Sequence, residues 1–481
     1  MSTAAVPPAS ADPFDALDNT GISRFQIKTM FVSGMGFFTD AYDLFVIGIV
    51  VSILKTQWTL TTTQVSWLNS ATLLASAFGA IVFGRIADML GRKRIYGYEV
   101  LILAAGAIAS AFATGYVFLI VCRVVLGIGI GGDYPVSATI MSEYSGKQSR
   151  GRLVGLVFAM QGLGLIFGPL FASILLALGI SDNIVWRLLL GFGAVPGLAV
   201  FYLRRQIHET PRFAVAGGAH EEAEAAIASA TGAEVDVPSG ESKAKISQGA
   251  LDGFQKILGN KRLLIWLIGT AGGWLLLDFC YYGNTISSPE ILKLINPSAT
   301  LLDNTLTQLA IFAVFALPGY AVAILLLDKT GRKTIQVMGF AMMAVMFLLL
   351  GLIPGVTKAV VPFLLLYGVS YFFTEFGPNT TTFIYPAELF PTEVRTTGHG
   401  ISAGAGKLGA FAGAFLFPDF LASSVGLTGA MVIAGVVASI GLILTVVTLP
   451  EPRGKSLEEL TEYAYAEQPE TLARVQPALG G

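Results

Sequence analysis

The chain has 481 residues, 54% of them hydrophobic and only 13% charged, with a mean hydropathy of +0.68. Soluble domains carry about 25% charged residues, so a large soluble core is excluded and a polytopic membrane protein is expected. The net charge is −2, and no Lys/Arg-rich run suggests a nucleic-acid partner. The two cysteines, Cys122 and Cys280, both fall in apolar stretches, which argues against a disulfide framework.

Residues 1–24 are polar and contain Asp12, Asp15 and Asp18. They lack the basic start and short apolar core of a cleaved signal, so the first span is expected to be kept. Twelve apolar spans follow, at about 25–54, 65–88, 95–114, 117–141, 152–179, 185–204, 263–287, 305–327, 334–354, 358–387, 397–421 and 424–449. A polar stretch, 205–262, separates the sixth from the seventh. Its Ala- and Glu-rich His220–Ala230 segment predicts a short surface helix, followed by a Gly/Pro/Ser linker. The organisation is therefore an N-terminal tail 1–24, a six-helix half 25–204, a linker 205–262, a second half 263–449 and a tail 450–481.

Basic residues set the orientation. Arg85, Arg92, Lys93 and Arg94 share one loop, and Lys147, Arg150 and Arg152 share the next loop on that side. Arg204, Arg205, Arg212, Lys243, Lys245, Lys256, Lys261 and Arg262 follow, then Lys329, Arg332, Lys333, Arg395, Arg453 and Lys455. The opposite loops hold little beyond Lys55, Lys293 and Lys358. The positive-inside rule makes the crowded side, and both termini, cytoplasmic.

An internal repeat supports the division. Asp88-x-x-Gly91-Arg92-Lys93 recurs as Asp328-x-x-Gly331-Arg332-Lys333, and the pair Glu143 and Arg150 recurs as Glu388 and Arg395. Two parallel six-span halves, with a site between them near the midplane, form a transporter architecture.

Polar residues inside the spans are the candidates for chemistry. A mid-membrane carboxylate costs about 2.5–3.5 kcal/mol on insertion scales. Span 4 nevertheless carries Gly131-Gly132-Asp133-Tyr134-Pro135, and span 1 carries Asp40 and Asp43 on one face. Asp133 and Tyr134 are expected to face a polar cavity through which a solute moves; a helix–helix contact is the plainer alternative for Asp133. Tyr134, Gln161, Trp274, Tyr282, Asn379 and Lys407 could donate hydrogen bonds to an anion. Lys407 is the one Lys or Arg well inside the second half, and with Asp278 it also suits a structural ion pair. Trp274 and Tyr282 taken alone read as packing, and Arg123 as a helix-positioning residue. Gly127-Ile128-Gly129-Ile130-Gly131-Gly132 lacks the strand context of a nucleotide site and suits close helix packing. Asn379-Thr380-Thr381 fits a glycosylation pattern but lies within a span. His208, His220 and His399 have no partners at metal spacing, and there is no Walker loop, so neither a cofactor nor an ATP-driven pump is expected.

Gly84-Arg85-Ile86-Ala87-Asp88-Met89-Leu90-Gly91-Arg92-Lys93-Arg94 resembles the signature loop of the major facilitator superfamily. Its second copy is degenerate, with Ile324 where the first has Gly84. Glu209-Thr210-Pro211-Arg212 and Pro450-Glu451-Pro452-Arg453-Gly454 resemble the segments that close each half. Gly36 to Phe45, the span 4 string from Gly129 to Thr139, and Phe376-Gly377-Pro378-Asn379-Thr380-Thr381-Thr382-Phe383 resemble the phosphate:proton symporter family of that superfamily, over about residues 25–460.

The resemblance implies an all-α membrane protein of twelve transmembrane helices in two pseudo-symmetric six-helix halves. It implies alternating-access symport of inorganic phosphate with protons, in the cell membrane. Carried over position by position, the phosphate site is Tyr134, Gln161, Trp274, Asp278, Tyr282, Asn379 and Lys407. The proton-handling acids are Asp40 or Asp43 with Asp133, and Glu99. A gate that closes the cytoplasmic side in one state uses Asp88, Arg92, Asp328, Arg332, Glu143, Arg150, Glu388 and Arg395. Glu375 departs from the pattern, which calls for a neutral polar residue one turn before Asn379. The alternatives are a proton symporter for another small anion or a sugar-like solute, or a phosphate-sensing receptor. A membrane enzyme finds no nucleophile–base pair. The partners expected are phosphate, protons and the lipid bilayer, with the oligomeric state open.

Overall fold

The computed structural model describes residues 13–237 and 249–466. Asp12, Lys243, Lys245 and most of the Gly/Pro/Ser linker lie outside the described residues. Twelve of the described helices are long and apolar enough to cross a bilayer. They are α1 (Arg24–Gln57), α2 (Thr62–Leu90), α3 (Arg92–Ala111), α4 (Tyr116–Tyr144), α5 (Arg150–Ala177), α6 (Asp182–Arg205), α7 (Lys261–Ile286), α8 (Leu301–Thr330), α9 (Arg332–Leu352), α10 (Val360–Leu389), α11 (Arg395–Ala422) and α12 (Gly426–Thr448). The fold is all-α, in two pseudo-symmetric sets of six.

Local chemistry sets several boundaries. Ser23, Thr61 and Thr300 start α1, α2 and α8 with capping boxes that satisfy free backbone donors at both ends of the box. The Asn260 side chain accepts from the first-turn N–H groups of α7. Helices α2 and α8 stop at Gly91 and Gly331, whose φ angles of 101° and 98° favour glycine. The chain reverses there into α3 and α9. Glu209 accepts from the Arg92 and Lys93 N–H groups, and Glu451 accepts from those of Arg332 and Lys333. A Cβ on either glycine would run into these carboxylates. The Glu-Thr-Pro-Arg and Pro-Glu-Pro-Arg segments thus supply matched caps, each placing a negative charge at a helix N-terminus.

The halves meet where α2 packs on α11, α5 on α8, and α1 on α7. Gly84 and Gly400 let the α2 and α11 backbones cross closely, since a Cβ on Gly84 would lie 2.6 Å from the Thr396 carbonyl oxygen. Small residues permit such approach where water supplies no hydrophobic drive. Two helices change pitch: π-helical turns interrupt α8 at Phe312–Ala316 and α10 at Glu375–Asn379, and Gly377 leaves helical geometry altogether. Such turns concentrate at functional positions.

The segment His220–Thr231 forms a helix that exposes Glu221, Ala225 and Ser229 and buries Ala223, Ala226, Ile227 and Ala230 on the face that packs against the Asp15–Asp18 turn. One expectation is corrected. Several of the basic residues assigned to loops are interior: Arg92, Arg150, Arg204, Arg212, Arg332 and Arg395 are all buried. A guanidinium tolerates burial when donors meet fixed acceptors, and each of these six makes at least one such contact to a carboxylate or carbonyl.

Candidate functional site

The seven residues carried over as a solute site come together between the halves in two clusters, all of them buried. In the first, Lys407 from α11 donates to the Tyr282 hydroxyl at 2.7 Å and to Asp278 Oδ2 at 3.4 Å. Its Nζ lies 4.4 Å from the ring centroids of both Tyr134 and Tyr282, where the ring faces attract a cation. Trp274 packs 6.0 Å from the Tyr134 ring. Spacing by four on α7 puts Trp274, Asp278 and Tyr282 on one face. In the second cluster, Gln161 on α5 and Asn379 on α10 both donate to the Tyr320 hydroxyl, at 2.6 and 2.8 Å. Asn379 also donates to Glu375 at 2.5 Å.

Aromatic rings seal this centre at both ends. On the side of the charged gate, Phe383 stacks on Phe158 at 4.5 Å and meets Phe37, Trp274 and His399 edge-on. On the other side Phe45 stacks on Tyr282 at 5.0 Å. Phe37 and Phe45 are two turns apart on α1, about 12 Å along the axis. Beyond Phe45 a cavity of about 550 Å³ opens between the halves, lined by Lys55, Glu290 and Lys293 among others. Lys55 and Glu290 bridge it at 2.8 Å.

The proton-handling candidates lie elsewhere, within the first six helices. Asp133 and Tyr134 do not face one cavity, as adjacent helical residues point about 100° apart. Tyr134 turns to Lys407. Asp133 is held bidentately by Arg204, at 2.9 and 2.8 Å, and accepts from Ser137 at 2.5 Å. Arg204 also donates to Glu99 at 2.8 Å and lies over the Tyr96 ring. Asp40, Glu99 and Asp133 line one small void. Asp43 is separate, beside Arg123, which donates to the Asp43 carbonyl at 2.9 Å.

The gate residues bind the halves together at one end. Asp88 on α2 caps α11: it accepts from the Thr396 and Thr397 hydroxyls, each at 2.7 Å, and from both backbone N–H groups. Asp328 on α8 likewise accepts from the Arg152 N–H at the start of α5. Glu143 on α4 pairs with Arg395 on α11 at 2.8 Å and with Arg92 at 3.3 Å. The second copy is not equivalent. Glu388 is taken up bidentately by Arg332 within its own half, while Arg150 turns to Asp18 and the Lys455 carbonyl. Arg212 binds Asp18, the Glu143 carbonyl and Glu458 of the helix Leu457–Tyr465. Burial opposes ionisation of Glu458, but Arg212 outweighs it and holds that carboxyl down to about 2. The Arg212–Glu458 pair therefore stays charged well below neutral pH.

Asp88→Asn should loosen the gate. The amide cannot accept on both sides, and a lost helix cap costs about 0.5–2 kcal/mol. Maleimide should then reach a cysteine placed at Ile384, buried behind the gate, roughly 2- to 30-fold faster, in a chain whose two native cysteines are replaced by serine. Unchanged labelling would show that Asp88 does not hold the closed end.

Sequence reasoning missed two residues. Tyr320 joins Gln161 to Asn379, and its one sequence signal is a hydroxyl midway along an apolar span. Arg204 looks like its neighbour Arg205, and only the helix phase turns it inward.

Helices clamped at one end around a sealed polar centre define a solute carrier that works by alternating exposure of that centre. Residues 29–464 match the family model described as sugar (and other) transporter. The chain is 37% identical to Inorganic phosphate transporter 1-11 of Oryza sativa subsp. japonica, with 93% of this chain and 89% of that protein aligned. It is 36% identical to Probable inorganic phosphate transporter 1-6 of Arabidopsis thaliana, over 93% of this chain and 95% of that protein. Among solved structures, the proton:xylose symporter XylE bound to 6-bromo-6-deoxy-D-glucose superposes with a TM-score of 0.74 at 20% identity, covering 92% of this chain and 99% of that chain; this likeness concerns the fold. The chain belongs to the major facilitator superfamily, within the sugar (and other) transporter family and alongside the inorganic phosphate transporters.

Proposed function

We propose that this protein carries inorganic phosphate into the cell together with protons, by rocking its two halves about the sealed centre. The observation that carries the reading is the setting of Lys407. A buried ammonium, hydroxyl and indole donors and one carboxylate acceptor meet between the halves. An oxyanion needs the donors. Phosphate at neutral pH keeps O–H groups that need an acceptor, and Asp278 supplies one. Sulfate has no O–H to offer and would leave that carboxylate facing another anion. Tyr134, Gln161, Trp274, Asp278, Tyr282, Asn379 and Lys407 bind the solute in this scheme. A buried carboxylate can load and release a proton near neutral pH, so Asp40 or Asp43, with Asp133 and Glu99, handles the proton.

The moving bodies are residues 25–204 and 263–449, joined by the linker 205–262, with tails 1–24 and 450–481. The protein sits in the plasma membrane with both tails and the charged gate on the cytoplasmic side. Asp88, Arg92, Glu143, Arg150, Asp328, Arg332, Glu388 and Arg395 close that side, and the 550 Å³ cavity faces outward.

The test is uptake of labelled phosphate into proteoliposomes with and without an inward acid gradient. Gradient-stimulated uptake that arsenate blocks and sulfate does not is expected. No uptake by folded protein would overturn the reading. Asp278→Asn should erase the preference of phosphate over sulfate, and an unchanged preference would remove Asp278 from that role.

A further inference from the structure

Glu375 has no place in the scheme above, yet it touches the solute site. It is buried in the π-helical turn of α10, and its Oε2 accepts from Asn379 Nδ2 at 2.5 Å. The same Nδ2 donates to the Tyr320 hydroxyl at 2.8 Å. Both N–H groups of the amide are thereby consumed. Asn379 can offer a solute only its carbonyl oxygen, an acceptor, which is the wrong polarity for an anion. A charged Glu375 would also repel one.

We propose that Glu375 is a second proton-loading residue, which switches Asn379 from acceptor to donor and so ties proton uptake to phosphate binding within the second half. A proton taken from the aqueous side lodges on the Glu375 carboxylate. The new O–H donates to Asn379 Oδ1, the amide turns over, and its two N–H donors become free for a phosphate oxygen. After the solute leaves, the amide turns back and the proton departs to the other side. One proton enters and one leaves.

The groups around Glu375 suit this. Tyr320 faces it from α8 and Tyr281 from α7, with Asp278 farther off. Tyr371 lies one turn earlier on α10, and α9 meets this turn through Gly339 against Gly377. No cation is among these groups, so nothing there holds Glu375 permanently charged. Tyr371 accepts or donates within a line of hydroxyls, with Thr285 at 3.0 Å and with Tyr367 and Ser288 at 3.3 Å. Ser288 adjoins Pro289 and Glu290 of the outer cavity, so the line runs from the neighbourhood of Glu375 toward water.

The inference rests on phosphate being the solute, so the full-length wild-type protein is measured first, by uptake in proteoliposomes and by equilibrium binding of labelled phosphate from pH 5.5 to 8.5. Wild-type protein that neither takes up nor binds phosphate overturns the transport reading and this inference with it. With wild-type binding established, Glu375→Gln is compared. Gln is isosteric, and its amide can donate to Asn379 Oδ1 at every pH. It should bind at acid pH within about 3-fold of wild type, and the slope of log Kd against pH should fall by about one, the removal of one linked proton. Phosphate's own titration is common to both proteins and cancels. Glu375→Met, of similar size but with no donor, should lose the same slope and bind about tenfold more weakly at acid pH, one lost hydrogen bond. An unchanged slope in Glu375→Gln, or loss of binding by Gln and Met alike at acid pH, would overturn the switch and leave the transport reading standing.

Discussion

Lys407→Ala should lower phosphate uptake roughly 10- to 150-fold, because it removes the cation from the centre of the site. A hydrogen bond to a charged group contributes about 1.5–3 kcal/mol, and every 1.4 kcal/mol is about a factor of ten in affinity. The substitution has a second consequence. Asp278 loses its buried partner, and breaking such a pair from one side costs about 3–5 kcal/mol. Loss of uptake and loss of stability must therefore be separated. In Asp278→Asn/Lys407→Ala the leftover charge is gone, so the thermal midpoint should recover toward wild type while uptake stays lost. Recovery of uptake in the double variant would mean that the pair is structural and that the solute binds elsewhere. Lys407→Arg should not rescue, because a planar guanidinium between the Tyr134 and Tyr282 rings needs a different shape from a compact ammonium.

Arg204→Ala should be the most destabilising single change in the first six helices. The side chain holds Asp133 with two hydrogen bonds and Glu99 with a third. Without it, two buried carboxylates face each other unpaired, at a cost of about 3–5 kcal/mol. The thermal midpoint in detergent and the yield of monodisperse protein are the readouts. Asp133→Asn should behave differently. Arg204 keeps Glu99, so the fold survives, but a carboxylate proposed above to handle the proton is gone. Uptake driven by an acid gradient should be lost, while exchange of labelled for unlabelled phosphate across vesicles without a gradient persists. Full gradient-driven uptake by Asp133→Asn would take Asp133 out of proton coupling. Read together, the two variants separate the structural part of the cluster from its chemical part.

The helical architecture was legible because its signals are long and repeated. An apolar run of some twenty residues has few other solutions, and the paired Asp88 and Asp328 strings declared the duplication outright. Which residues gather at the centre was legible through motif likeness and through periodicity, as with Trp274, Asp278 and Tyr282 on one face of α7. What the chain hid was phase. Asp133 and Tyr134 are neighbours in sequence and point into different clusters. Arg204 and Arg205 are neighbours too, and only Arg204 is buried at the end of α6. A count of basic residues treats both as loop charges, although the inner one belongs to an ionic core. The break in the repeat was hidden as well. Glu143 and Glu388 occupy matching places in sequence, but the first reaches across to the opposite half and the second pairs at home. That difference goes with the Asp18 turn and the Leu457–Tyr465 helix, which take up Arg150 and Arg212.

The dense ionic end invites the idea of a strong lock, yet its energetics point the other way. Each carboxylate or guanidinium that leaves a partner when the halves part is met by water, and hydration returns most of what the broken pair gives up. The pairs themselves therefore add little net weight to the clamped arrangement. Turning a two-state balance from 1:99 to 99:1 takes about 5.5 kcal/mol of preferential binding, which lies within the means of one small anion and its protons. The cluster acts less as a bolt than as a detent: it defines where the motion stops and leaves the direction of travel to the cargo.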